Sequence, residues 1–359
     1  MKNKKILIVV LVILSISVIA LISAFFAIHY IKNKQESNIQ NQSNNVTETE
    51  PVTVVVNQQP ENKVDIININ SKTRPYAVVV NNTPVAVKVQ TGLNKAYLVY
   101  EIPTEGNTSR LMALYKDVND DLTIGTIRSS RHNFVDYALE SDAIFVHYGW
   151  SHYAEDDQNA GSINFINGLF EKPFWRNNPE NLASEHTAYT SLDKIKQTSN
   201  EKGFKSESDK TILLNYNAED VDLSANKEAK AANKIVIPYG AKPNVTTFVY
   251  DSNTKMYNRM ENDKNCIDYN TKEQVNTKNI IVQKINYSVC SDNYYWDLKT
   301  IGSGKGYFIT NGYAVPITWK KDSRAGKTRY YYSDGSEIEV SDGRTYIELQ
   351  VNSQNLTIE

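Results

Sequence analysis

The feature that most constrains this chain is a long apolar stretch near its N-terminus. Residues 6–28 carry no charged side chain, and a helix of this length, at ~1.5 Å per residue, exceeds the ~30 Å hydrocarbon core of a bilayer. A cleaved signal peptide has a shorter apolar core, and Phe25 fits poorly at a cleavage site. We therefore expect an uncleaved transmembrane anchor.

Lysines on both sides of this stretch bear on its orientation. Lys2, Lys4 and Lys5 precede it and favour a cytoplasmic N-terminus, although Lys32 and Lys34 follow it. The rest of the chain has no second apolar run of membrane length. The sequence predicts a single-pass membrane protein whose soluble domains are extracytoplasmic.

Composition divides the chain into five segments. Residues 1–30 are the cytoplasmic stub and anchor, and residues 31–70, rich in Asn, Gln, Thr and Ser, predict a flexible linker. Residues 71–205 predict an α/β N-terminal domain, with a mixed sheet and helices. After a polar connector at 206–234, short strands and hairpin turns at 235–359 predict a smaller β-rich C-terminal domain.

Hydrophobic periodicity predicts helices at 132–140 and at about 191–202, and helical character at 225–232. Strand-like segments at 124–127 and 143–148 flank the first helix. This strand–helix–strand order predicts a parallel pair of strands.

Charge and cysteine content limit the function. A formal net charge of −2 argues against nucleic-acid binding, which usually needs a basic face. In an oxidising compartment, Cys266 and Cys290 are a candidate disulfide. Neither a metal nor another cofactor is predicted, because the possible metal ligands lack a tight spacing. Those ligands are His147, His152, Asp156, Asp157 and His186.

The sharpest candidate site is the run Arg128, Ser129, Ser130 and Arg131, between a predicted strand and a predicted helix. Either serine could cap the helix, whose free N–H groups attract anions, and the two arginines could grip a phosphate or carboxylate. The alternative is that both arginines are paired inside the domain. The acids available for such pairs are Glu101, Glu105 and Asp142.

Further polar residues extend this candidate site. His147 ends an apolar strand and Ser151 follows it, and ligands gather beyond the carboxyl ends of strands in α/β sheets. Arg110 and His186 complete the candidate set.

Two alternatives to a binding function stay open. A wall hydrolase acting on a glycan or an ester would need Glu101, Glu105, Asp142 or His147 at catalytic separations, which the sequence does not give. A scaffold or regulator would dock another protein on the β-rich domain. A Ser-His-Asp triad is disfavoured, because Ser151 lacks the glycine that ends a nucleophile elbow.

Several motifs occur in an order that resembles a known family. They include Arg74-Pro75-Tyr76, Gln90-Thr91-Gly92-Leu93, Glu105-Gly106, Arg128-Ser129-Ser130-Arg131, His147-Tyr148-Gly149 and Asp342-Gly343-Arg344. Over roughly residues 72–355 the chain resembles the YerB-like family of bacterial envelope lipoproteins, domain of unknown function 3048. The resemblance implies an envelope location in a Gram-positive bacterium and the two-domain layout, but no reaction. The chain departs from the family in lacking a lipid-accepting cysteine near its N-terminus.

Together these observations predict a membrane-anchored envelope protein that binds a polar or anionic wall component, or an envelope partner protein. The expected groove is lined by Arg128, Arg131, His147 and Glu101.

Overall fold

The computed structural model describes residues 63–119, 121–240 and 244–359. They belong to one compact unit, Pro60–Glu359. None of their helices is long and apolar enough to cross a membrane. The predicted anchor at 6–28, and all of the predicted linker before residue 63, lie outside the described residues.

The described chain contains three α-helices and many short strands. The helices are α1 (His132–Glu140), α2 (His152–Asn159) and α3 (Leu192–Glu201). The strands before residue 220 are β1 (Tyr76–Asn81), β2 (Leu98–Thr104), β3 (Thr108–Tyr115), β4 (Thr123–Gly125), β5 (Ile144–His147), β6 (Phe165–Asn167), β7 (Phe174–Arg176), β8 (Ala188–Ser191) and β9 (Asn215–Asn217). The later strands are β10 (Lys230–Ala231), β11 (Lys234–Pro238), β12 (Val245–Asp251), β13 (Met256–Glu261), β14 (Lys264–Asn265), β15 (Asn276–Thr277), β16 (Asn279–Ile285), β17 (Tyr287–Val289), β18 (Trp296–Leu298), β19 (Gly302–Thr310), β20 (Tyr313–Lys321), β21 (Arg329–Tyr331), β22 (Glu339–Ser341), β23 (Thr345–Val351) and β24 (Thr357–Ile358).

The largest sheet joins the two predicted domains. Its strands run in the order β10-β20-β19-β16-β23-β2-β3-β1-β5-β6, and β21 pairs with β20. Strand β23, from near the C-terminus, lies parallel to both β16 and β2. The mixed sheet with few helices and the β-rich C-terminal region are as predicted.

The two faces of this sheet carry separate cores, because side chains alternate along each strand. Ala77 and Val79 of β1 face a core that includes Phe134 of α1. Val78 of β1 faces the other core, which includes Phe248 of the second sheet. That second sheet runs β14-β13-β12-β11-β24, with β15 paired to β13.

Two predicted helices were confirmed, and the predicted pairing of two strands was wrong. Helix α1 has the predicted bounds, and α3 begins at Leu192, after Ser191, whose side chain accepts a hydrogen bond from the Lys194 N–H. The predicted parallel strand β5 exists, but it pairs with β1 and β6, whereas β4 pairs antiparallel with β8.

Two expectations about helices were wrong, and one helix was missed. Residue Arg131, rather than Ser129 or Ser130, occupies the cap of α1, and no side chain caps that helix. Residues 225–232 form a turn and the short strand β10, which pairs with β20, rather than a helix. Helix α2 was not predicted, because its eight residues are almost all polar.

Candidate functional site

The run from Arg128 to Arg131 lies at the carboxyl ends of the parallel strands β1 and β5. The Arg128 N–H donates to the Val79 carbonyl, and the Tyr148 N–H donates to the Arg128 carbonyl. Backbone bonds therefore fix this run between the two strands. Gly149 has a φ of +81°, and a Cβ there would lie 3.0 Å from Ser129 Oγ, so both conformation and space favour glycine.

Arg131 grips Glu105 with its guanidinium group. Arg131 Nε lies 3.0 and 2.9 Å from the two Glu105 carboxylate oxygens, and Arg131 Nη2 also contacts Glu105 Oε1. Burial alone would raise the pKa of Glu105, but the hydrogen bonds and charge of Arg131, with the charge of Arg110, lower it below its usual value. Glu105 is therefore a carboxylate at neutral pH.

Arg110 lies on the other side of the same carboxylate. Its Nη2 is 3.8 Å from Glu105 Oε1, and its Nη1 donates to the Ser129 carbonyl. Burial, followed by the positive charge of Arg131, lowers the pKa of Arg110 to about 9. Arg110 thus stays charged at neutral pH. It shares the single negative charge of Glu105 with Arg131.

Arg128 is the most accessible of the three guanidinium groups. Its side chain is 20% exposed and pairs with Glu185, which is 55% exposed, at 3.1 Å. Its Nε is buried and has no hydrogen-bond partner in the described part of the chain. Burial and the charge of Arg128 lower the pKa of neighbouring His186, so His186 adds no fixed positive charge at neutral pH.

We call Arg110, Arg128 and Arg131 the arginine cluster. Among the described residues, these three cations meet one buried carboxylate, Glu105, and one exposed carboxylate, Glu185. The surplus positive charge and the spare donors can accept an anion.

The structure places Glu101 elsewhere, in a fully buried network. Its carboxyl oxygens accept hydrogen bonds from Arg259 Nη2 at 2.9 Å, Ser109 Oγ at 2.6 Å and Thr246 Oγ1 at 2.9 Å. Both Glu101 and Arg259 have no exposed surface. Glu101 therefore lines no groove, and its predicted place in the binding site was wrong.

His147 is also internal. Its ring nitrogens lie 2.8 Å from the Gly149 carbonyl oxygen and 2.7 Å from Gln158 Oε1, and the residue is fully buried. Burial lowers the pKa of His147 to about 4, so it is neutral. Ser130 accepts a hydrogen bond from Gln158, and Ser151 caps α2 by accepting from the Ala154 N–H. These residues support the loops rather than face a ligand.

The hydrolase interpretation fails on these positions. Glu101 is paired with Arg259, Glu105 with Arg131, and Asp142 with Arg74 at 3.2 Å. Each of these carboxyl groups is held in an ion pair, so none of them is left free to act as a catalytic acid. Among the described residues, no group of three or more His, Cys, Asp or Glu side chains is arranged to hold a metal ion.

The candidate disulfide is not formed, because both cysteines are free. Cys266 is buried, and its sulfur accepts a hydrogen bond from Arg259 Nη1 at 3.0 Å. Cys290 is half-buried, in the turn that joins β17 to β18.

The fold and site define a class of protein: a mixed-sheet α/β protein with a β-rich C-terminal region and a cationic cluster near its surface. The chain matches the family described as "Protein of unknown function (DUF3048) N-terminal domain" over residues 66–205, and the C-terminal domain of the same family over residues 235–347. It belongs to this family.

The YerB protein of Bacillus subtilis agrees with this assignment in both sequence and structure. The chain is 31% identical over 310 residues to the protein named "Putative lipoprotein YerB" of Bacillus subtilis (strain 168), covering 85% of this chain and 82% of that protein. The crystal structure of YerB protein from Bacillus subtilis matches with a TM-score of 0.69 and 28% identity, covering 80% of this chain and 94% of the other.

Proposed function

We propose that this chain is a membrane-anchored envelope protein that binds an anionic wall component at the arginine cluster. The name "lipoprotein" of the Bacillus relative supports an envelope location. The apolar stretch at residues 6–28 supplies an anchor that needs no lipid.

One observation carries the binding proposal. Arg110 and Arg131 share the one buried carboxylate of Glu105, and Arg128 beside them pairs with exposed Glu185. Burial makes each uncompensated charge costly. An anion with several oxygens, such as a phosphodiester, would supply the missing negative charge and accept hydrogen bonds in pairs. In the absence of such an anion, exposed Glu185 pairs with Arg128. The anion can displace Glu185 easily, because exposed ion pairs contribute only ~0–1 kcal/mol.

The test is sedimentation of the full-length chain, in detergent, with purified cell walls. Half of the walls are first treated with hydrofluoric acid, which cleaves phosphodiester-linked polymers. We expect binding to untreated walls, weaker binding at high salt, and little binding to treated walls.

The variant Arg128→Gln should weaken binding about tenfold or more, because a hydrogen bond to a charged group contributes ~1.5–3 kcal/mol. Lys264→Gln removes the same charge at an exposed position on β14, outside the arginine cluster, and serves as the matched control. Equal binding of Arg128→Gln and Lys264→Gln, with unchanged binding to treated walls, would overturn the proposal.

A further inference from the structure

An open cavity lies between the two family regions. It has a volume of about 450 Å³, within the ~300–1,000 Å³ usual for small-molecule sites. We call it the interdomain cleft. Its lining includes His132, Asp136, Tyr153, Asp157, Lys299 and Arg324.

The floor of the interdomain cleft is rigid. Arg324, in the loop between β20 and β21, donates to Asp136 Oδ1 at 2.6 Å and makes two hydrogen bonds to Asp157, at 2.9 and 2.7 Å. The Thr300 hydroxyl donates to Asp136 Oδ2 at 2.5 Å. Both carboxylates are thus held in place, and carboxylate oxygens have lone pairs left for ligand hydroxyl groups.

One wall of the interdomain cleft contains His132, whose ring nitrogens make no hydrogen bond to the described residues. Its Nε2 is 3.8 Å from Asp297 Oδ1, too far for a hydrogen bond, and its Nδ1 has no partner in the part of the chain that the structure describes. Burial lowers the pKa of His132 although Asp297 opposes the shift. Because Nδ1 is buried, Nε2 is the ring nitrogen left for a ligand. In a neutral imidazole it is either a donor or an acceptor, and a hydroxyl group can pair with either.

Aromatic rings border the same wall. Tyr153 packs edge-on against His132, with ring centroids 5.5 Å apart, and against Tyr295 at 6.2 Å. Its hydroxyl lies 2.8 Å from Ser291 Oγ. The ring is therefore held in one orientation, and a flat apolar face beside fixed carboxylates suits the alternating apolar and hydroxyl surfaces of a sugar.

The charge of the interdomain cleft favours a neutral ligand. Three aspartates, Asp136, Asp157 and Asp297, face two cations, Arg324 and Lys299, so an anion would meet net negative charge. We infer that the interdomain cleft binds a neutral saccharide, and that this site is distinct from the anion site at the arginine cluster. The choice of an N-acetylated glycan as probe rests on the proposed envelope function; the inference of a saccharide does not.

The probe is a neutral β-1,4-linked N-acetylglucosamine tetrasaccharide, titrated into the full-length chain in detergent and followed by calorimetry. We expect binding that Tyr153→Leu and His132→Phe each weaken by about fivefold to tenfold, since each removes one face or hydrogen-bonding atom of the site. Tyr294→Leu makes the same change at an exposed tyrosine outside the cleft lining and should bind normally.

Arg128→Gln separates this inference from the proposed function. It should leave binding of the tetrasaccharide unchanged even if it abolishes binding to walls. Absence of tetrasaccharide binding to the wild-type chain would overturn the inference. So would equal losses in Tyr153→Leu and Tyr294→Leu, or displacement of the sugar by a short peptide of mixed charge at lower concentration.

Discussion

Two buried charge clusters in this protein have surplus charge of opposite sign. In the arginine cluster, Arg110 and Arg131 flank one buried carboxylate, Glu105, and the charge of Arg128 also acts on Arg110. The second, which we call the acid cluster, has three acids around one cation, Arg259. Its acids are Glu101, Glu261 and Glu348.

The two clusters resolve their imbalance differently because buried acids can take up protons, whereas guanidinium groups stay charged. The acid cluster is buried and takes up protons. Burial chiefly, and then the charge of Glu101, raises the pKa of Glu261 to about 7, although Arg259 opposes this. Burial and Glu101 also raise the pKa of Glu348 well above its usual value. Guanidinium groups cannot lose a proton at neutral pH, so the arginine cluster can be balanced only by an anion from outside.

The largest expected effect comes from breaking the acid cluster. Replacing Arg259 by Met leaves three buried acids without their cation and should lower the free energy of unfolding by about 3–5 kcal/mol. Urea unfolding at pH 7 measures this loss. Lys264→Gln, an exposed control, should change it by less than about 0.5 kcal/mol. Equal stability of Arg259→Met and wild type would show that the acid cluster needs no cation.

Stability should also depend on pH through Glu261. Its pKa is raised to about 7 in the folded chain and is ~4.3 when exposed, so the folded state holds the extra proton between these values. The contribution of Glu261 to the free energy of unfolding is fully present below about pH 4.3. It is lost as pH rises through about 7, and the loss amounts to a few kcal/mol.

Urea unfolding at several pH values, in the wild type and in Glu261→Gln, measures this contribution, because the glutamine cannot titrate. From pH 5 to pH 8, the free energy of unfolding of the wild type should fall increasingly relative to that of Glu261→Gln. A difference that is constant with pH would contradict the assignment.

A smaller effect is expected from Glu105→Gln in the arginine cluster. Loss of the central carboxylate should destabilise the fold by about 2 kcal/mol, the cost of hydrogen bonds to a charged group. Added phosphate should restore part of this loss, because it supplies the missing negative charge. Chloride at the same ionic strength should not. Recovery that is equal in both salts would indicate simple screening.

The smallest expected effect is a gain. Glu185→Gln removes the exposed carboxylate that pairs with Arg128, and so should tighten phosphate binding by about twofold to fivefold, equivalent to ~0.5–1 kcal/mol. Titration calorimetry measures the affinity. Glu180→Gln, at another partly exposed acid that pairs with a lysine, is the matched control. Weaker binding of phosphate to Glu185→Gln would contradict displacement of Glu185.

The sequence predicted the arginine cluster better than the acid cluster for a physical reason. Arg128 and Arg131 adjoin a strand and a helix with clear hydrophobic periodicity, so their neighbourhood follows from local structure. The partner of Glu101 is Arg259, 158 residues away, and strand β13 that carries it was not predicted. The inward face of β13 holds Arg259 and Glu261 beside Tyr257, and hydropathy does not detect a strand whose buried face is charged.

The sheet that joins the two family regions could not be predicted from the sequence either. Strand β23, near the C-terminus, pairs with β2 of the N-terminal family region, and no local pattern reports such a pairing. Glu185 gave no motif signal; its pairing with Arg128 arises from a turn before β8 that brings it to the end of β1. The site therefore depends on contacts that no short segment specifies.

The most direct test of the central claim is the response of stability to phosphate at constant ionic strength. We predict that inorganic phosphate raises the free energy of unfolding of the full-length chain, as a ligand bound only to the folded state must. Lys264→Gln should keep this response, and Arg128→Gln should lose most of it. An equal response in all three proteins, or none in the wild type, would contradict an anion site at the arginine cluster.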